Sequence, residues 1–291
     1  MCRHWRCLVF ASPCRLHLRL VCTRKRPVKE ALDVWPELPI SIRAYDIRST
    51  WIQTLESNVI AALEHHDRVC DIFIGANPTS LMKIFSTMKK PFPSLINLKV
   101  ISLYRTESMI HDSFLGGSAP RLQSIEFLNI PLSCPEIGKL LHSAPNLVSL
   151  CLFLIPRSGP GCTSPEAMVN GLSVLTRLKS LRLTFSLQTS RPQSQQANGH
   201  RLPFARVLLP ALTDIDFCGD NEYLEDIVSR IETPLLANIT ITFPDRSIPI
   251  IPPLHDFISR TEGFGACPKI DADPFSGHAK IKFFRRNGKE L

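Results

Sequence analysis

A six-residue apolar phrase returns along this chain and constrains its fold more than any other feature. The phrase is an apolar residue, two variable residues, an apolar residue, one variable residue and an apolar residue. It stands at Leu95/Leu98/Val100, Leu122/Ile125/Phe127, Leu147/Leu150/Leu152, Leu178/Leu181/Leu183, Leu212/Ile215/Phe217 and Leu236/Ile239/Ile241. Val69/Ile72/Ile74 reads as an earlier copy, and from it the first positions fall 26, 27, 25, 31, 34 and 24 residues apart. Alternate residues of a strand share a face, so the last two apolar positions of each copy point the same way. A unit of this size cannot bury its apolar edge alone, so successive copies have to stack.

The stretches between copies carry helix signals. Asn77-Pro78 offers a cap and a first-turn proline ahead of Leu81, Ile84, Phe85 and Met88. Cys134-Pro135 precedes Ile137, Leu140 and Leu141, and Ser164-Pro165-Glu166 precedes Met168, Leu172 and Leu175. Asp220 or Asn221 precedes Leu224, Ile227, Val228 and Ile231, and Leu254, Phe257 and Ile258 make a last short helix. Upstream, strands are predicted at 16–21 and 37–42, followed by a helix over 50–66 with Trp51, Leu55, Val59 and Leu63 on one face. A strand over 279–284 closes the series. Pro93, Pro120, Pro145, Pro210 and Pro234 stand just before first positions, where a residue without a ladder donor is expected to mark the start of a strand. Residues 156–165 read as an exposed loop and 188–200 (QTSRPQSQQANGH) as a polar insertion without an apolar face, which account for the two long spacings.

The period is close to that of leucine-rich repeats. The predicted fold is therefore α/β: a leucine-rich-repeat-like solenoid over 31–291, with a curved parallel sheet on one face and helices on the other. Residues 1–30 form a basic N-terminal segment that includes the first strand.

Charge and cysteine placement narrow the function classes. The formal net charge is +8, but residues 1–30 carry +7 and 269–291 carry +3, leaving the repeats near −2. A nucleic-acid binder carries its basic stripe on the folded surface, so no nucleic-acid partner is expected. No run reaches the roughly 18 apolar residues that cross a bilayer, and no membrane partner is expected. The ten cysteines contain no CxxC pair and several sit in apolar strand contexts, which fits a reducing, intracellular compartment, cytoplasmic or nuclear. Residues 1–29 lack acids and are rich in arginine, as mitochondrial presequences are. Leu16, Leu18 and Leu20 nevertheless alternate with His17 and Arg19 as a strand does.

Beyond the repeats, Cys2-Arg3-His4-Trp5-Arg6 resembles the tail of an F-box. The stretch from Ala31 to Ile40 (ALDVWPELPI) is similar to the segment C-terminal to that tail in fungal F-box proteins with leucine-rich repeats. The resemblance implies a substrate-recognition role in an F-box-type ubiquitin ligase receptor. It also implies that Trp5 and Arg6 are the relic of an adaptor-contact helix. Most of the F-box segment that docks a Skp-type adaptor has no counterpart before this tail, so adaptor docking does not carry over. The alternatives are a non-catalytic scaffold and a truncated gene product without adaptor binding.

In a curved parallel solenoid the variable positions of each phrase face the concave side. Those expected there include Lys99, Glu126, Arg182 and Asp216, and the next outward position runs Ile101, Leu128, Phe153. Three adjacent apolar residues would make an exposed stripe, and apolar stripes rimmed by polar residues mark partner sites. The expected partner-binding set is Lys99, Ile101, Glu126, Leu128, Phe153, Arg182 and Asp216. Catalysis and metal binding find no matching motif. Gly116-Gly117-Ser118 is no nucleophile elbow, and Gly159-Pro160-Gly161 lacks the Lys-Ser/Thr of a phosphate loop. Asp214, Asp216, Asp220 and Glu222 straddle a strand and a helix start rather than one tight turn. His65-His66 with Cys70 lacks a second ligand pair. The expectation is a non-enzymatic interaction module without metal or cofactor.

Overall fold

The computed structural model describes residues 20–22, 28–34, 38–45, 52–104, 110–111, 113–154, 164–185, 206–243, 252–261, 264, 269–272 and 279–285. The chain divides into two units, Met1–Ile130 and Pro131–Leu291. Both are α/β, built from mostly parallel strands with helical connections.

The first unit runs β1 (Leu20–Cys22), α1 (Val28–Val34), β2 (Ile40–Tyr45), α2 (Ile52–Leu63), β3 (Val69–Ala76), α3 (Pro78–Thr87), β4 (Asn97–Ser102) and β5 (Ser124–Leu128). Its strands pair in chain order and all in parallel. The second unit runs α4 (Cys134–Ser143), β6 (Ser149–Leu154), α5 (Pro165–Leu172), β7 (Ser180–Phe185), β8 (Val207–Leu208), β9 (Asp214–Cys218), α6 (Asn221–Arg230), β10 (Ile231–Glu232), β11 (Asn238–Phe243), α7 (Pro252–Arg260), β12 (Lys269–Ala272) and β13 (Ala279–Phe284). Here β6, β7, β9 and β11 are parallel neighbours, and β8 with β10 forms a separate two-stranded ladder.

Each apolar phrase lands on one strand, in register with the next. Ile72 and Ile74 sit beside Leu98 and Val100, which sit beside Ile125 and Phe127. In the second unit Leu150 and Leu152 align with Leu181 and Leu183, then with Ile215 and Phe217, then with Ile239 and Ile241. These residues form the buried face of each sheet. The first-position leucines, Leu95, Leu122, Leu147, Leu178, Leu212 and Leu236, are all 0% exposed.

The prolines act one step earlier than expected. Each first-position N–H donates to the carbonyl three residues back: Leu95 to Phe92, Leu122 to Ala119, Leu147 to Ala144, Leu178 to Leu175, Leu212 to Leu209 and Leu236 to Thr233. Pro93, Pro120, Pro145, Pro210 and Pro234 therefore occupy the second position of a recurring β-turn, where a fixed φ is already right for the turn. They do not start the strands, as position in the sequence alone implied. Just after the turn a second device recurs. The carbonyls of Ile96, Val148, Lys179 and Thr213 each accept two consecutive N–H groups from the following copy.

Helix starts follow their capping chemistry. Asn77 Oδ1 accepts from Ser80 N at 2.9 Å, Ser164 Oγ from Ala167 N at 3.1 Å and Asp220 Oδ1 from Glu222 N at 2.7 Å. As expected, α4 starts at Cys134, and Ser133 caps it in a capping box closed by Glu136. Each helix buries one stripe, Leu81, Ile84 and Phe85 in α3 and Leu224, Ile227 and Val228 in α6. Ile231, expected on that last stripe, lies beyond the helix in β10.

Two expectations on architecture need correction. The sheet is not parallel throughout: β13, foreseen at 279–284, runs antiparallel to β11, and β12 returns antiparallel to it. Between β4 and β5, where the sequence carries no helix signal, the described residues hold a single 3-10 turn, Phe114–Gly117. Leu115, Gly116 and Gly117 take φ of 55°, 56° and 67°, and a Cβ on Gly116 would stand 2.4 Å from Pro91 N, so only glycine fits there. The strand expected at 37–42 is Ile40–Tyr45 instead. Pro39 has no N–H to give, and the ladder begins with Ile40 N donating to Arg68 O at 2.9 Å. The insertion expected at 188–200 and most of the first predicted strand lie outside the described residues.

Candidate functional site

The phrase that buries one face of each sheet leaves the other face to the variable residues. In the first unit strand register sorts them into rows. One row is Arg43, Phe73, Lys99 and Glu126; the next is Tyr45, Gly75, Ile101 and Leu128. Lys99 Nζ lies 2.7 Å from Glu126 Oε1 and 5.5 Å from the centroid of the Phe73 ring. Tyr45 and Phe73 stack with centroids 5.5 Å apart at 17°. Tyr45 is 43% exposed, whereas Ile101, Leu128 and Phe73 are half-buried. A third row closes the group, with Asn97 Nδ2 donating to Asp71 Oδ1 at 2.6 Å.

The Lys99–Glu126 pair is partly exposed on both sides, and such pairs contribute only about 0–1 kcal/mol. Its value is in the pattern it presents rather than in stability. Arg43, two residues before Tyr45 on β2, is exposed and has no ion pair among the described residues.

The second unit repeats the scheme with different chemistry. One row is Cys151, Arg182, Asp216, Thr240 and Lys282; the next is Phe153, Thr184, Cys218, Thr242 and Lys280. Arg182 Nε donates to Asp216 Oδ2 at 2.9 Å. Burial draws the guanidinium pKa down, but Asp216 and then Cys151 outweigh it and leave it raised. Cys218 is pushed up by burial first and by Asp216 second, with Lys280 opposing. Its thiol stays protonated at neutral pH and is a poor nucleophile. Asn238 repeats the motif of the first unit, donating to Asp214 Oδ1 at 2.6 Å.

The seven expected partner-binding residues thus lie on the faces opposite the buried phrase, divided between the units. Lys99, Ile101, Glu126 and Leu128 form a compact group in the first. Phe153, Arg182 and Asp216 lie on neighbouring strands of the second. Phe153 opens its own unit's row and is half-buried, as are Ile101 and Leu128. Trp5 and Arg6 lie outside the described residues.

Arg43, Tyr45 and Phe73 extend the surface beyond what sequence reading placed there. Phe73 sits between Ile72 and Ile74 in the earliest copy, so its outward direction was readable. Tyr45 and Arg43 were not, because the strand was expected three residues too early.

The acids considered for a cation are put to other uses. Asp214 accepts from Thr213 and Asn238, Asp216 pairs with Arg182, and Asp220 caps α6. Cys70 donates to Ile40 O at 3.2 Å, and His66 Nδ1 lies 2.7 Å from Pro91 O. Among the described residues no cluster of three or more His, Cys, Asp or Glu is placed to hold a metal ion. No described helix is long and apolar enough to cross a membrane.

No protein-family model matches the sequence, and no curated protein matches it.

Proposed function

We propose that this chain is a non-catalytic protein-interaction module, a leucine-rich-repeat-like solenoid whose uncovered sheet face receives a protein partner. The observation that supports it is the apolar row Tyr45, Ile101 and Leu128 beside the charged row Arg43, Lys99 and Glu126, on the face opposite the buried phrase. Half-exposed aromatic and aliphatic groups rimmed by charges are the composition of protein-recognition surfaces. In the second unit Phe153, with Arg182 and Asp216, supplies the same combination. Recognition is non-covalent and needs no cofactor.

Leu128→Ser and Phe153→Ser, singly and together, test this reading. Wild type and variants are used as affinity baits and the captured proteins quantified by mass spectrometry. Proteins retained by wild type and lost by the double variant, with the melting curve preserved, are the expected result. Capture indifferent to both substitutions removes the reading, and turnover in a broad hydrolase panel removes its non-catalytic part.

The resemblance of residues 2–6 and 31–40 to F-box proteins extends the proposal to substrate recognition for a cullin-RING ubiquitin ligase. Co-purification of a Skp-type adaptor tests that extension separately. Failure there, with open-face capture intact, leaves a scaffold without a degradation role.

A further inference from the structure

The face of the first unit carries enough detail to describe what it holds. We propose that it receives one amphipathic helix of a protein partner, laid across β2 to β5. The helix sets its apolar stripe on Tyr45, Ile101 and Leu128 and an aspartate or glutamate against Arg43. This rests on the interaction-module reading and names the partner's chemistry.

Spacing selects the helix. Neighbouring strands lie about 4.8 Å apart, so the row from Tyr45 to Leu128 spans roughly 14 Å. Side chains three and four apart on a helix recur every ~5–6 Å, close to the strand interval. An extended segment crossing the same row presents one side every ~6.6–6.8 Å and falls out of step by the second strand. Ten residues of helix cover the row, at about 1.5 Å each. Strand addition is not open to this face, because β3 and β4 are hydrogen-bonded on both sides.

The row also has a shape that suits a helix. Gly75 leaves the second position empty, and the Tyr45 ring lies over it, within 2.2 Å of where a Cβ would stand. The apolar floor is therefore continuous from β2 to β5 although one position has no side chain. No described residue hydrogen-bonds the Tyr45 hydroxyl, which gives the anchor a polar tip of the kind enriched at interfaces.

Charge selects the acid. Lys99 and Glu126 neutralise one another at 2.7 Å, so the row they share with Arg43 and Phe73 keeps one surplus positive charge, at the exposed Arg43. Asp71, in the third row, is half-buried and takes up the Asn97 amide. A guanidinium pairs with a carboxylate in a bidentate fork and discriminates against a basic partner. One surplus cation is too little for a nucleic-acid strand, whose affinity is built from several neutralised phosphates.

Two phage-display libraries test the proposal against the intact chain. One randomises the exposed face of a single helix on a small three-helix scaffold; the other displays linear random dodecamers. The expected outcome is enrichment from the helical library alone, with apolar residues at three- and four-residue spacing and an excess of Asp and Glu. Leu128→Ser and Arg43→Glu should each weaken a purified helical clone by about tenfold or more, equivalent to ~1.4 kcal/mol. Replacing the clone's acid by Lys should restore part of its affinity for Arg43→Glu. Arg43 is exposed, so this variant probes the surface without entering the core. Enrichment of linear clones only, clones without acids, affinities untouched by both substitutions, or no enrichment from either library each overturn the proposal. If any of these occurs while capture by the intact chain is still lost in Leu128→Ser, the helix is wrong and the interaction module stands. If capture ignores both Leu128→Ser and Phe153→Ser, the broader reading fails with it.

Discussion

Replacing Gly75 by alanine tests the aromatic platform directly. The new Cβ would stand 2.2 Å from Tyr45 Cδ2 and 2.6 Å from Cε2, whereas carbon atoms rest at about 3.5–4.0 Å. One of the two must move. The strand is held by ladders on both sides, but Tyr45 is 43% exposed and has a route into solvent. The ring is therefore expected to swing out and give up its stack on Phe73, at a cost of about 0.5–1.5 kcal/mol. Against this, alanine is favoured over glycine within a strand by roughly 0.5–1 kcal/mol. The single substitution should change stability by under about 1 kcal/mol in either direction, and on its own it decides nothing.

The cycle with Tyr45→Ala separates the two effects. In that background nothing obstructs the Cβ, and Gly75→Ala should stabilise by about 0.5–1 kcal/mol. The coupling between positions 45 and 75 is then about 0.5–1.5 kcal/mol, from the upper edge of the ~0.3–0.5 kcal/mol scatter of independent sites to several times it. Urea unfolding gives the global value, and native-state amide exchange in β3 and β4 reads the first unit by itself. Additive free energies, or an unshifted Phe73 ring resonance in Gly75→Ala, would refute the contact on which the apolar floor depends.

Three further outcomes are expected. Leu122→Ala removes a fully buried first-position leucine and should destabilise by about 2–5 kcal/mol in urea unfolding; a loss under about 1 kcal/mol would mean the position is not sealed. Asp220→Ala removes the cap on Glu222 N and should cost about 1 kcal/mol, with amide exchange in the first turn of α6 accelerated and α7 unaffected. Cys218 has a raised thiol pKa, so the fold favours its protonated form. The stability this contributes is complete below the ordinary thiol pKa and declines as pH rises through the folded-state value. Iodoacetamide modification of Cys218 should accordingly show a midpoint above that of free cysteine, displaced downward in Asp216→Asn; a midpoint at or below free cysteine contradicts the assignment.

The strands that sequence reading placed well are those whose burial is periodic. Leu98 and Val100, or Ile239 and Ile241, had to share a face, and copies of equal phase had to align. The structure places them in register from β3 to β5 and again from β6 to β11. Caps were legible for a related reason, since Asn77, Ser164 and Asp220 act on N–H groups only two or three residues away. Direction and pairing were not. Ala279–Phe284 has the alternation of any strand, and nothing in that alternation distinguishes a parallel neighbour from an antiparallel one. The prolines misled because a turn three residues ahead of a strand and the strand's own beginning look alike in a linear pattern. Only the bond from Leu95 N to Phe92 O, repeated in five further copies, separates them.

The surface was legible in part for a physical reason that also sets its limit. Alternation decides which residues leave the core, so Lys99, Glu126, Ile101 and Leu128 could be assigned outward without knowing what lay beside them. What they do there depends on their neighbours across the ladder. The Lys99 ammonium meets Phe73 on one side and Glu126 on the other only because β3, β4 and β5 align within a residue. A shift of one position would send every one of these side chains to the opposite face. Arg43 shows the same dependence from the other direction. Its residue type was plain, but its standing as the row's surplus charge exists only once Glu126 is seen to be spoken for by Lys99. Chemistry specific enough to select a partner is in this molecule a property of rows, and a row is written across four separate stretches of chain.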